Sequence, residues 1–204
     1  MHSANKRVFF GNYVFEVCEN VYEPAEDSFL FADRLQVLVG TSVLDMGTGT
    51  GILGVSAAGQ AREVLSVDVN PFALRCAKKN AELNQVRSKM NFLQGNLFSP
   101  LSETAKFDLI LFNAPYLPSE PGEDKTWLGR AWAGGPTGRN VIDRFISEAP
   151  SHLEKAGTIF LMQSSLANVE ETVSKFSALE LRTRIVTELA LPFFEKLVLL
   201  KATL

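Results

Sequence analysis

The stretch VLDMGTGTGILG, Val43 to Gly54, begins as an apolar run suited to a buried strand, breaks into alternating glycines and resumes with a helical pattern through ILGVSAAGQA. Glycine tolerates φ > 0 and lets a ligand approach the bare backbone, while the first turn of the following helix offers N–H groups that have no intrahelical partner. A second β-rich run, EVLSVDV, ends at Asp68, about 20 residues further on, where an acidic side chain commonly accepts the hydrogen bonds of a ribose diol. Asn70-Pro71 then supplies a helix cap with proline at the first helical position. A tight turn with a capping Asp would explain the glycines alone. Strand, glycines, helix, strand and acid in register point instead to a nucleoside-binding βαβ unit.

Outward from this unit, β-rich and helical segments keep alternating, which predicts an α/β fold on a mostly parallel sheet. The first segment departs from the pattern: RVFFGNYVFEV carries Gly11-Asn12 between two aromatic and β-branched runs and predicts a tight hairpin. In VYEPAEDSFLFADRLQVL, the residues Phe29, Leu30, Leu35 and Leu38 recur at helical spacing. A helix through ALRCAKKNAELN and strands in MNFLQGNL and FDLILFN follow. Residues 118–140 form a segment rich in Gly and Pro with both tryptophans, too long for an idle connection and therefore expected to be a functional loop. Beyond it come a helix around NVIDRFISEAPSHL, a strand GTIFLMQ, a helix ANVEETVSKFSAL, and closing strands in LRTRIVTEL and EKLVLLKA. No helix separates the last two, so an antiparallel pair is expected at the end of a seven-stranded sheet.

With 204 residues and 46% hydrophobic composition, the chain is expected to form one domain, 1–204, with residues 1–20 as a hairpin extension. Twenty Lys and Arg against 23 Asp and Glu give a net charge of -3 and a pI near 5.5, with no run of like charge. Tight nonspecific nucleic-acid binding, which needs clustered Lys and Arg, is disfavoured. Cys18 and Cys76 lack the paired spacing of a zinc site or redox motif and are expected to be small buried residues. The N-terminus has no signal-peptide core, and no apolar run approaches the ~20 residues needed to span a bilayer. No metal site is expected, and a reducing cytoplasm is the default. His2 and His152 show no partner pattern.

The nucleoside cofactor can be narrowed by charge. A dinucleotide needs a seat for a pyrophosphate, whereas S-adenosylmethionine carries a sulfonium, an ammonium and a carboxylate. Asp45, just before Gly47, Gly49 and Gly51, repels the first and favours the second. Asn96 and Leu97, after the third strand of the sheet, are placed to meet the adenine edge and face, although Asn96 fits a plain turn equally well.

FDLILFNAPYL, Phe107 to Leu117, carries the next signal, because a buried strand empties into Asn113, Ala114, Pro115 and Tyr116. Together with VLDMGTGTG and the strand end at Asp68, this exit resembles the class I, Rossmann-like S-adenosylmethionine-dependent methyltransferases. Within them, an Asn-Pro-Pro-Tyr type of tetrapeptide marks enzymes acting on planar nitrogens. An amide-like NH₂ has a delocalised lone pair and attacks poorly, so it must be turned and held. The resemblance implies that the Asn113 side-chain oxygen and the carbonyl of residue 114 each accept one N–H. Pro115 would fix the backbone, Tyr116 would offer a flat face, and Asn113 would also neighbour the cofactor. Ala114 stands where the family usually has proline; a carbonyl contact survives that change, but one rigid φ is lost.

VYEPAEDSFL and WAGGPTGRNVIDRF are similar to the archaeal and eukaryotic branch of the HemK-related glutamine methyltransferases, which modify the Gly-Gly-Gln loop of translation termination factors. This resemblance implies that Tyr22 to Ser28 crosses the cofactor with Ser28 in contact, although Glu26 and Asp27 fit equally as first-turn carboxylates favoured by the helix dipole. Gly134, Gly135 and Gly138 would cradle a glycine-rich substrate, or else form an ordered loop packed on Trp127 and Trp132. Arg139 could pair with a neighbouring acid. The family also implies a small zinc-binding activator protein that adds to the sheet edge at Met90 to Gln94, where Met90, Phe92 and Leu93 would otherwise be exposed. Alternative activities are methylation of adenine or cytosine in nucleic acid, methylation of protein lysine, and a scaffold that kept the fold without the chemistry.

Overall fold

The structure, a computed structural model, describes residues 6–204 and divides into two compact units, one up to Pro100 and one from Leu101 onward. His2 lies outside the described residues.

The first unit opens with the expected hairpin, β1 (Arg7–Phe10) and β2 (Tyr13–Glu16), with Phe10 opposite Tyr13 and Gly11 at φ 55° in the turn. Helix α1 (Glu26–Arg34) is shorter than its apolar pattern predicts. It buries Phe31 and Ala32 rather than Phe29 and Leu30, and Leu38 beyond its end is exposed. The unit continues through β3 (Ser42–Met46), α2 (Ile52–Ala58), β4 (Glu63–Asp68), α3 (Pro71–Leu83) and β5 (Met90–Gln94). β3 and β4 run parallel with Asp45 opposite Ser66, and β4 and β5 run parallel with Asp68 opposite Gln94. All five β3 residues are buried, as a parallel strand covered on both faces requires. Asn70 caps α3 by accepting from Phe72 N at 2.9 Å, with Pro71 in the first helical position.

One face of α3, Ala73, Cys76, Ala77, Asn80 and Ala81, is buried at helical spacing. Asn80 accepts from Glu16 N at 2.8 Å and donates to Glu16 O at 3.0 Å. One turn on, Asn84 accepts from Val14 N at 2.9 Å and donates to Val14 O at 2.7 Å. These two side-chain amides thus pair with β2 much as a neighbouring strand would. The same docking overturns the expectation of two free cysteines: Cys18 and Cys76 form a disulfide across a sequence separation of 58 residues. Spacing along the chain could not reveal it, because the fold of β2 onto α3 brings the pair together.

The second unit contains β6 (Phe107–Asn113), α4 (Trp127–Trp132), α5 (Asn140–Glu148), β7 (Leu153–Ser164), α6 (Val169–Ala178), β8 (Arg182–Ala190) and β9 (Lys196–Thr203). α5 stops short of the predicted helix end; Pro150 lies in a 3₁₀ turn, Ala149–His152, and β7 starts directly after it. Phe112 and Phe145, with ring centroids 4.6 Å apart, anchor a core that includes Ile110, Leu111, Ile142, Ile146 and Phe176. His152, expected to be incidental, is buried with Nδ1 at 2.9 Å from Ala105 O.

The sheet order is β5-β4-β3-β6-β7-β9-β8. β9 runs antiparallel to both β7 and β8; the β8–β9 pair is the antiparallel pair expected from their succession without a helix. β5 is an edge strand as predicted, but Met90 is buried rather than exposed; only Phe92 and Leu93 remain partly accessible, with the Arg87 guanidinium over the Phe92 ring. Among the described residues no helix is long and apolar enough to cross a membrane.

Candidate functional site

In the first unit, the chain leaving β3 is folded back by backbone hydrogen bonds from Gly47 N and Thr48 N to Val67 O, at 2.8 and 3.2 Å. Gly47, Gly49 and Gly51 all have positive φ, which explains why glycine alternates there. Asp68 holds the loop to the end of β4: Oδ2 accepts from Gly49 N at 2.9 Å and Oδ1 from Asn70 N at 2.8 Å. With Val69 N also donating to it, the carboxylate keeps about one of its four acceptor sites for an incoming donor such as a ribose hydroxyl. Burial raises the Asp68 pKa against the pull of these backbone N–H groups.

Asp45 is fully buried beneath the loop. Its Oδ2 gathers Thr48 Oγ1 at 2.5 Å, Gly54 N at 3.1 Å and Ser66 Oγ at 3.5 Å. Its Oδ1 is buried without a hydrogen-bond partner. Desolvation outweighs the donors and raises the Asp45 pKa to about 7. An orphaned carboxylate oxygen in such a place is costly unless a donor arrives, and a cationic ammonium supplies one. A side chain at Gly49 would meet only open space out to the Gly47 carbonyl at 4.0 Å. The residues present therefore fit a nucleoside cofactor with a positively charged end. Gly54 was read from sequence only as the last of the glycine run, and Thr48 and Ser66, which also position Asp45, were not singled out; the Asp-x-x-Thr spacing is the signal that could have found Thr48.

Ser28 and Asp27 are buried in the first turn of α1, where Asp27 Oδ1 accepts from Ser28 N at 2.6 Å and from Ser28 Oγ at 3.1 Å. Burial, then the charges of Asp27, Glu26 and Glu23, push the Tyr22 hydroxyl well above its usual pKa. After β5, Asn96 is exposed and Leu97 is buried with φ 52°.

In the second unit, β6 ends at Asn113, half-buried opposite Met162 of β7, and Ala114 N donates to Met162 O at 3.3 Å. Ala114 is buried, while Pro115 and Tyr116 are half-buried. The chain then pairs with the distant WAGGPTG loop: Leu117 N donates to Trp132 O at 3.0 Å, Gly134 N to Leu117 O at 2.8 Å and Ser119 N to Gly135 O at 2.9 Å. A side chain at Gly138, which has φ 72°, would collide with the Tyr116 carbonyl. Gly134 and Gly135 are likewise packed against this chain's own Gly138 and Asn140. The space a side chain would need at these glycines is filled by the loop itself, which braces the Asn-Ala-Pro-Tyr segment; of the two expectations, substrate cradle or ordered loop, these contacts match the ordered loop. Arg139 is buried and bonded to Asp143 Oδ1 at 2.6 Å through Nη2, to Asn168 O at 2.8 Å and to Thr172 Oγ1 at 3.1 Å, the acid pairing foreseen from sequence.

An acid-braced glycine loop at the ends of β3 and β4, an Asn-Ala-Pro-Tyr exit from β6 and a terminal antiparallel pair match a class I, Rossmann-like methyltransferase fold. The methyltransferase small domain family matches residues 23–127, and the chain belongs to it. The chain is 42% identical over 181 residues to a putative protein N5-glutamine methyltransferase of Methanocaldococcus jannaschii, covering 88% of this chain and 90% of that one. It is 36% identical over 163 residues to the human methyltransferase HEMK2, covering 74% and 75%. Among solved structures, the E. cuniculi Mtq2-Trm112 complex, responsible for methylation of the eRF1 translation termination factor, matches with TM-score 0.68 at 24% identity over 90% of this chain and 98% of that one. The T. thermophilus 16S rRNA methyltransferase RsmC matches with TM-score 0.74 at 23% identity, over 98% of this chain and 50% of that one.

Proposed function

We propose that this chain is an S-adenosylmethionine-dependent methyltransferase that modifies the side-chain amide of a glutamine, within the Gly-Gly-Gln loop of a translation termination factor. The carrying observation is the 42% identity, over 88% of the chain, to a protein N5-glutamine methyltransferase. The Asn113 to Tyr116 exit from β6 supplies the matching chemistry.

Bound S-adenosylmethionine would supply an activated methyl group on a sulfonium. In the first unit, Asp45 and Asp68 would hold its cationic end and ribose, with Gly47, Gly49 and Gly51 giving backbone access. Ser28, Asn96 and Leu97 would line the nucleoside. In the second unit, the Asn113 side-chain oxygen and the Ala114 carbonyl would accept the two N–H groups of the glutamine amide, turning its lone pair toward the methyl group. Tyr116 would flank the planar group, and Asn113 would also border the cofactor. Both acceptors favour the positive charge that develops on nitrogen, so alignment carries most of the rate and no strong base is needed.

The partly accessible edge of β5, Met90 to Gln94, would receive an activator protein by strand addition; the structure of a similar methyltransferase, Mtq2, as a complex with Trm112 supports the existence of a partner. A translation substrate supports a cytoplasmic site of action.

The test is incubation of the chain, with and without a co-expressed activator, with cofactor and termination factor, followed by peptide mass spectrometry for one added methyl group. Methyl transfer to the Gln of Gly-Gly-Gln, lost in Asn113→Ala, is expected. Transfer into DNA, RNA or lysine without transfer to that Gln would refute the proposal.

A further inference from the structure

The turn between β8 and β9 projects two aromatic side chains into solvent. Phe193 and Phe194 are 96% and 102% exposed, and both sit at positive φ, 62° and 64°. Consecutive bulky residues in the left-handed region are strained, and such strain persists only where the surrounding structure enforces it, often at functional sites. Here Pro192 opens the turn, Leu191 N donates to Glu195 O at 2.8 Å, and Lys196 N donates to Ser165 Oγ at 2.9 Å. The aromatic pair is therefore held on a closed turn, beside Leu166, itself 52% exposed.

Register places this turn. Asn113 pairs with Met162 on β7, and Leu197 pairs with Ser164, two residues further along the same strand. Met162 also pairs with Leu199, so the turn lies beyond the same end of the strands at which Asn113 emerges, two strand spacings across, about 10 Å, and more than three residues, about 10 Å, further along. A small acceptor would call for a concave pocket, whereas projecting aromatic anchors suit a protein surface. Nucleic acid could also stack on aromatic rings, but Lys196, the one cation between Glu188 and Leu197, is paired with Glu188 at 3.1 Å, and Glu195 adds negative charge. That balance repels a phosphate backbone.

We infer that Phe193 and Phe194 form a docking anchor for the folded protein that carries the acceptor amide, engaging an apolar patch beside its methylated loop. The inference rests on the proposed protein substrate and adds the residues that separate an intact protein from a free peptide. Its test compares full-length termination factor with a synthetic Gly-Gly-Gln loop peptide, using wild-type enzyme and the double variant Phe193→Asn/Phe194→Asn. Asparagine tolerates the left-handed conformation, so the turn is kept. KM for the intact factor should rise about tenfold or more, while kcat/KM for the peptide and the melting temperature stay within about twofold and about 2 °C of wild type, by the scale of aromatic anchors and of exposed sites. Phe193→Tyr/Phe194→Tyr should keep KM near wild type. An unchanged KM for the factor, an equal loss on both substrates, or a wild-type dimer that the double Asn variant dissolves in light scattering would overturn the inference. Failure of the wild-type enzyme on factor and peptide alike would instead defeat the proposed function itself.

Discussion

Replacing Asp45 with asparagine should stabilise the cofactor-free protein while weakening cofactor binding. The wild-type carboxylate has its pKa raised from 3.8 to about 7, and at about 1.4 kcal/mol per pH unit its ionised form costs roughly 4 kcal/mol at pH 8. The folded chain holds this proton more tightly than the unfolded chain, so wild-type stability falls as pH rises from about 4 to about 7. At pH 5 only about 2 kcal/mol of the cost remains. The substituted amide would keep an acceptor for Thr48 and Gly54 but leave its NH₂ where the Asp45 Oδ1 has no partner, a penalty of about 1–3 kcal/mol that does not vary with pH. The stability difference between Asp45→Asn and wild type should therefore shift by roughly 3 kcal/mol in the variant's favour between pH 5 and pH 8. In a chain of this size that corresponds to roughly 6–12 °C in the relative Tm. Urea melts of both proteins at the two pH values, without cofactor, measure it. An equal difference at both pH values would refute the electrostatic account of the buried carboxylate.

With the proposed cofactor site, binding of S-adenosylmethionine to wild type should weaken about tenfold per pH unit below 7, since its ammonium would require ionised Asp45; a flat profile in calorimetry across pH 5 to 8 would refute that contact. Gly138→Ala, which meets both a positive φ and the Tyr116 carbonyl, should cost about 1–3 kcal/mol and depress methyl transfer, while cofactor affinity measured by calorimetry stays unchanged. Ala114→Pro removes the N–H donated to Met162 O and should cost about 1 kcal/mol yet retain methyl transfer, because the residue's proposed contribution is its carbonyl; loss of turnover with normal folding would contradict that role. Cys18→Ser/Cys76→Ser opens a loop closed over 58 residues, and the chain-entropy relation sets the loss of stability at about 4 kcal/mol, readable as a lower midpoint in urea.

The order of elements could be read from sequence because periodicity and punctuation agreed. Glycines after β3, Asn70-Pro71 before α3 and the missing helix between β8 and β9 each punctuate the chain locally. The acids Asp45 and Asp68 were visible for the same reason, being fixed to strand ends. What escaped was long-range packing. Nothing near Cys18 indicates Cys76, and Leu38 follows a helical period that the chain abandons after Arg34. The glycines of WAGGPTG signalled close approach correctly, but their spacing could not tell whether a substrate or Tyr116 does the approaching. Met90 had the composition of an exposed edge residue, yet side chains on an edge strand still alternate between faces, and this one turns inward.

The Asn80 amide ties the N-terminal hairpin to the glycine loop. It touches β2 through Glu16 and the glycine loop through Thr50 O, at 2.9 Å, from a fully buried position. A chain shortened to begin at Val21 would leave that amide's Oδ1 without its donor, and Val14 and Glu16 could no longer cover the helix. The hairpin is thus less an extension than a brace: one buried amide ties both β2 and the glycine loop to the same helix. An N-terminal truncation should reveal this as lost cofactor affinity before it reveals itself as lost secondary structure.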